Sequence, residues 1–178
     1  MLLLAVLLGC SPSASPEPTS ASGAEREALR AHMRGHLRAV DAVREALVKG
    51  DLAAAKRANR EFLDHKVAFD LPGDWLTHVA TMGVAAVALD KATDLRAASA
   101  HAVSVVAACG ACHREVGAEV TLPPAEVVGA GHGPKERAQL KATWYGLIAP
   151  GGEHAAVEDP AAALAACGAC HVAGGEVP

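Results

Sequence analysis

The chain has 178 residues, a length that fits one domain or one domain with a small extension. It carries 16 Lys and Arg against 20 Asp and Glu, and this mild acidity removes the usual electrostatic argument for nucleic-acid binding. Apolar residues make up 51% of the sequence, so a packed core is expected and a disordered chain is excluded. Only five residues are aromatic and 41 are alanine. A core so poor in large side chains leaves volume that another group could fill.

The first nine residues are MLLLAVLLG, and Cys10 follows them. This run is shorter than the roughly 20 residues that span a bilayer. It resembles a bacterial lipoprotein signal, in which Leu7, Leu8, Gly9 and Cys10 form the lipobox and the cysteine becomes the lipidated first residue. An ordinary export signal and a chance apolar start are the alternatives. We therefore expect an exported, periplasmic protein that a lipid on Cys10 anchors to the membrane, with a Ser/Pro-rich tether behind it.

The rest of the chain has the pattern of helices, and the expected class is all-α. Apolar residues recur every three or four positions, and Asp51 and Asp94 stand where N-caps are expected. Six helices are predicted, at about residues 24–49, 52–68, 75–91, 95–116, 134–148 and 160–171. The first four have short connections, which favours an antiparallel four-helix bundle. The predicted divisions are a signal peptide at 1–9, a lipidated cysteine and tether at 10–22, the bundle at 23–117, a linker at 118–131 and a small segment at 132–178.

One pentapeptide, CGACH, occurs twice in the sequence. Its first copy, Cys109 to His113, ends the fourth predicted helix, and its second copy, Cys167 to His171, ends the last one. The copies lie 58 residues apart and contain four of the five cysteines, so chance is a poor explanation. Cys-x-x-Cys-His is the pattern of c-type haem attachment.

The spacing within each copy suits that chemistry. On a helix, positions zero, three and four fall within about 100° of arc, so two sulfurs and an imidazole share one face. The thiols can then form thioethers to the haem vinyl groups while the histidine binds the iron as fifth ligand. Each copy thus predicts one covalently bound haem c, through Cys109, Cys112 and His113 in the first copy and through Cys167, Cys170 and His171 in the second. Two haems would also supply the apolar mass that the composition lacks.

Three other uses of paired cysteines remain as alternatives. A dithiol redox site usually opens a helix in a βαβ setting, and the sequence predicts no strands. A structural zinc site could use two Cys-x-x-Cys pairs, but it would not require a histidine after each second cysteine. Two plain disulfides are the third alternative, although a bridge between cysteines three apart on a helix would be strained.

A four-helix bundle with Cys-x-x-Cys-His at the end of its fourth helix resembles the cytochrome c′ family, including its low-spin relatives. The resemblance covers about residues 24–117 and includes the stretch AVDAVREALVKGDLAAA and Arg30 shortly before Met33. It implies a haem inside the bundle, with the sixth-ligand side formed by the first helix. Met33 or His36 would supply the sixth ligand on that side. Alternatively, Met33 fills the core and His36 is a partly buried polar group, and the sixth position of the iron is then open or otherwise filled. Arg30 would reach a haem propionate, whereas the arginines near it on the first helix are expected on a solvated helix face.

The segment from 132 to 150 resembles part of the first helix, as a shortened half-repeat. His132 is the histidine that survives this alignment and is the candidate ligand of the second iron, with His154 as the other candidate. Two helices cannot bury a haem by themselves, so the second haem is expected between them and the bundle. Its expected aromatic cover is Trp144 and Tyr145.

These features predict a dihaem c-type cytochrome that carries single electrons between redox protein partners such as respiratory membrane complexes. The alternative is cytochrome c′-like binding or sensing of a diatomic gas, NO or CO. A dihaem peroxidase is not favoured, because no set of acid, base and open cavity suggests an enzyme. The resemblance is also compatible with a homodimer formed through the first helix and its neighbour.

Overall fold

The computed structural model describes residues 22–64, 71, 73–118, 120–122, 134–148, 159, 161, 162, 164 and 165. Within these residues the chain is helical and has no strand, which confirms the all-α class. The five helices are α1 Gly23–Val48, α2 Leu52–Leu63, α3 Gly73–Lys91, α4 Leu95–Glu115 and α5 Pro134–Ile148. Residues 161, 162, 164 and 165 are also helical.

Local capping sets where the first helices begin. Ser22 and Glu25 form a capping box, in which each side chain accepts a hydrogen bond from the backbone N–H of the other residue. Asp51 accepts from a backbone N–H in the first turn of α2, and Asp94 does the same for α4. Gly50 has a φ of 73°, a conformation that glycine adopts without strain, and it turns the chain from α1 into α2.

The first four helices pack on one another in chain order, and the last of them returns to the first. α1 packs against α2, α2 against α3 and α3 against α4, while α4 also contacts α1. Three residues connect α1 to α2, and three connect α3 to α4, and connections this short favour antiparallel packing within each pair. α5 packs mainly against α4.

The interior consists mostly of small apolar side chains, as the composition predicts. Val40, Val43 and Leu47 of α1 are buried at the positions that the apolar periodicity indicates. Trp144 of α5 is fully buried among them and lines a narrow gap between the helices that is too small to hold a water molecule. Leu164 is fully buried too. An indole from the C-terminal segment therefore fills part of the volume that the alanine-rich helices leave.

Among the described helices, α4 is the one that is long and apolar enough by length and composition to cross a membrane. Its Ala98, Ala102, Val105 and Val106 are buried against the neighbouring helices. One face of α4 is therefore buried in the interior that it helps to form.

Candidate functional site

The first Cys-x-x-Cys-His copy lies in the last two turns of α4, which ends at Glu115. Cys109, Cys112 and His113 are each partly buried. Both cysteines are free thiols, so the structure does not join them in a disulfide. Because the copy is helical throughout, its two sulfurs and its imidazole share one face of α4.

The environment of the two thiols favours their protonated form. Burial raises the pKa of Cys109 to about 12, and the neighbouring Cys112 adds a smaller increase. Burial also raises the pKa of the Cys112 thiol, with a further contribution from the Glu115 carboxylate. Disulfide exchange requires a thiolate, which a raised pKa makes scarce at neutral pH.

The imidazole of His113 is held by the end of α5. Its Nδ1 lies 2.9 Å from the carbonyl oxygen of Ile148, the last residue of that helix. A carbonyl can only accept, so Nδ1 carries the proton and donates it to this hydrogen bond. The lone pair of the neutral ring is then on Nε2, the nitrogen that is left to bind a metal. Metal-binding histidines commonly have such a partner on the other ring nitrogen.

Gly110, inside the motif, makes this approach of α5 sterically feasible. A Cβ atom at Gly110 would overlap the carbonyl oxygen of Leu147, so a side chain there would push the α5 backbone away. No role for this glycine is predicted from the sequence. The available signal was its repetition, since Gly168 holds the same place in the second copy.

In an antiparallel bundle of α1 to α4, the first half of α1 would lie toward the same end of the molecule as the motif. Val40 of α1 and Val105 of α4 line the same interior gap. In such a bundle α1 and α4 run in opposite directions, so residues before Val40 and residues after Val105 would lie toward one end. His36 is one turn before Val40, Met33 is a further turn away, and Cys109 is one turn after Val105.

The apolar face predicted for α1 is only partly covered. Residues 22–34 are exposed apart from two that are partly buried, and Met33 is 37% exposed. His36 is 8% exposed, and its ring centroid lies 4.3 Å from that of His32 and 5.4 Å from that of Phe62. The side chains packed on this face begin at His36. Met33, the other predicted iron ligand, lies on the uncovered part.

Arg30 also lies on the uncovered part of α1. Its side chain is 71% exposed, and one guanidinium nitrogen is 4.0 Å from the Glu27 carboxylate. Arg34 approaches the same carboxylate more closely, at 2.8 Å, and this hydrogen bond lowers the pKa of Glu27. Arg30 is therefore only loosely held by its neighbours, and its role at a propionate stays a prediction.

A polar contact ties α5 to α1. The hydroxyl of Tyr145 donates to Oδ2 of Asp41 at 2.8 Å, and the other oxygen of Asp41 is 3.7 Å from Nε of the buried Arg44. Burial raises the pKa of Tyr145, and the hydrogen bond to Asp41 raises it further. Together with the buried Trp144, this contact fixes α5 on the first four helices. Both aromatic residues are predicted from the sequence as cover for the second haem, and their contacts with α1 and the interior are not evident from it.

Several predicted site residues lie outside the residues that the structure describes. These are the second motif Cys167, Cys170 and His171, the candidate ligands His132 and His154, and the lipidation site Cys10. Their roles stay predictions. In the described part of the chain, no three or more His, Cys, Asp or Glu side chains are grouped so that they could hold a metal ion.

Comparison with known proteins identified no relative of this chain. The chain matches no family model, no curated protein and no solved structure.

Proposed function

We propose that the chain is a dihaem c-type cytochrome that transfers single electrons. The observation that carries this proposal is the repeated pentapeptide CGACH, which places four scarce cysteines and two histidines in the spacing of covalent haem attachment. Haem iron supplies the one-electron chemistry when it is bound. The protein then needs no substrate pocket, because its task is to hold, orient and shield the group.

The residues around the first motif support this assignment. Cys109 and Cys112 are free thiols one helical turn apart, and they would hold the ring. His113 would bind through Nε2, since its Nδ1 is used by the Ile148 carbonyl. This donor set fits a c-type haem better than it fits a dithiol redox site, in which at least one cysteine has a lowered pKa.

The fold proposed for this site is a four-helix bundle of the cytochrome c′ type, made of α1 to α4. Its support is the cyclic packing of the four helices and the position of the motif at the end of α4. The interior at the level of Val40 is filled by Trp144, so we place the first haem nearer the end, beside the uncovered half of α1. Met33 or His36 would be the second axial ligand there.

The second haem and the membrane anchor belong to the same proposal. Cys167 and Cys170 would hold the second ring, with His171 as its fifth ligand and His132 as the candidate sixth ligand. A lipid on Cys10 would keep the exported protein at a membrane, where redox protein partners such as respiratory complexes are available.

Haem counting tests this function directly. Protein matured in a periplasm that attaches haem c should give a pyridine haemochrome spectrum and a mass that correspond to two haems per chain. The double variant Cys109→Ala, Cys112→Ala should retain one haem, and so should Cys167→Ala, Cys170→Ala. Ser104→Ala, an exposed site on α4, is the matched control and should retain both haems. Colourless protein, or protein with zinc and no iron, would overturn the proposal.

A second candidate function is the binding of a diatomic gas such as CO or NO. The uncovered first half of α1 favours it, because Met33 is exposed instead of packed toward the motif. If neither Met33 nor His36 binds the iron, the sixth position is open to a small ligand. Titration of the reduced protein with carbon monoxide decides between the two functions. A spectral change at one haem supports gas binding, and an unchanged spectrum contradicts it.

A further inference from the structure

The end of α5 meets the first motif at two places. The Leu147 carbonyl occupies the space beside Gly110 that a Cβ atom would need, and the Ile148 carbonyl accepts the hydrogen bond from His113. One helical turn earlier, Tyr145 bonds to Asp41 of α1. The position of the carbonyl that holds His113 is therefore set by the docking of the whole helix.

The terminal carbonyl of a helix is well suited to this task. The last four carbonyl groups of an α-helix have no partner within the helix, so the oxygen of Ile148 is available to an outside donor. The helix dipole also places partial negative charge at this end. Both effects draw the Nδ1 proton of His113 toward α5 and increase the electron density on Nε2.

We propose that α5 is a positioning element for His113, and that its Ile148 carbonyl fixes the imidazole and lowers the reduction potential of the iron that this histidine binds. The inference rests on the proposed function, because it concerns the axial ligand of the first haem. A more basic imidazole favours ferric over ferrous iron, so the docked helix stabilises the oxidised state. The same docking joins the C-terminal segment to the first haem site.

Gly110→Ala is the direct test, because its methyl group would force the Leu147 carbonyl, and the Ile148 carbonyl beside it, away from α4. The matched control is Gly83→Ala on α3, where no atom lies within 4 Å of the new Cβ atom. Both variants are made in the Cys167→Ala, Cys170→Ala background, so that only the first haem is measured. The readouts are the haem count, the midpoint potential and, by NMR of the ferrous protein, the exchange of the Nδ1 proton of His113 with solvent.

In Gly110→Ala we expect one haem per chain, faster exchange of the Nδ1 proton and a higher potential. A tenfold shift of the ferric-to-ferrous equilibrium would correspond to about 59 mV for a one-electron couple. Gly83→Ala should match the parent in all three readouts. A Gly110→Ala protein with its haem and with unchanged potential and proton exchange would overturn the inference while leaving the proposed function intact.

Tyr145→Phe decides the matter if Gly110→Ala does not fold or does not take up haem. It keeps the aromatic ring and removes only the hydroxyl that bonds to Asp41. A loosened α5 should give a smaller shift in the same direction, with faster exchange of the His113 proton. Loaded protein with both readouts unchanged would again reject the positioning role. Absence of haem from the parent itself would instead reject the proposed function.

Discussion

Tyr145 joins two helices that are far apart in sequence. Its hydroxyl donates to Asp41, 104 residues earlier, and the residue is 5% exposed. A hydrogen bond from a buried group to a charged acceptor contributes roughly 1.5–3 kcal/mol. We expect Tyr145→Phe to lower the free energy of unfolding by about this amount in urea denaturation. In an Asp41→Asn background the same substitution should cost less, and an equal loss in both backgrounds would contradict the assigned contact.

The same residue makes stability depend on alkaline pH. The pKa of Tyr145 is raised in the folded protein by burial and by Asp41, whereas an unfolded tyrosine titrates near pH 10. A raised pKa means that the folded state holds the phenol proton more tightly. The stabilisation is therefore complete below about pH 10 and is lost as the pH rises from there toward the folded pKa.

Tyr145 is the single tyrosine of the chain, so phenolate absorbance measures this group alone. The folded protein should titrate at higher pH than the urea-unfolded protein. Above pH 10, the free energy of unfolding should fall with pH more steeply for the wild type than for Tyr145→Phe. Coincident absorbance titrations of the folded and unfolded chains would show that the phenol is not held by Asp41.

At the scale of the helix, α4 depends on its N-cap. Asp94 accepts a hydrogen bond from the Ala97 N–H at 2.8 Å. Replacing such a cap by alanine typically costs about 0.5–2 kcal/mol. We expect Asp94→Ala to lower the thermal unfolding midpoint. Asp94→Asn should lower it much less, because asparagine also caps helices well. Equal destabilisation by both variants would indicate that the charge matters more than the cap.

Helix ends could be predicted from the sequence where a local signal sets them. Asp51 and Asp94 mark the starts of α2 and α4, and Pro134 marks the start of α5. The predicted end of α2 at 68 was wrong, since the helix ends at Leu63 and Asp64 follows it as C-cap. That position has no glycine or proline to announce it.

Contacts between helices could not be predicted in the same way. Apolar periodicity shows which face of a helix seeks cover, but it does not show what covers it. The sequence predicts Met33 on the apolar face of α1, yet its side chain is 37% exposed in the structure. Likewise, the sequence identifies His113 as a candidate ligand, but its hydrogen-bond partner, the Ile148 carbonyl, lies 35 residues further along the chain.

For the whole molecule, the uneven cover of α1 is the feature with the clearest consequence. All of the buried residues of α1 lie between His36 and Val48, whereas residues 22–34 are exposed apart from two that are partly buried. In the proposed antiparallel bundle, residues 22–34 would extend along the end that carries the first motif. A helix end with few buried side chains frays, and its amides exchange with solvent quickly. An apolar group attached to Cys109 and Cys112 would lie at that end and cover it.

Haem attachment should therefore protect the first half of α1 from hydrogen exchange. Between the loaded protein and Cys109→Ala, Cys112→Ala, amides in residues 29–36 should differ by at least about tenfold, or ~1.4 kcal/mol in the free energy of opening. Amides in residues 43–48, which are already packed, should change less than these. The Cys167→Ala, Cys170→Ala variant should keep the wild-type pattern in α1. Equal exchange of residues 29–36 with and without the first haem would mean that the group lies elsewhere.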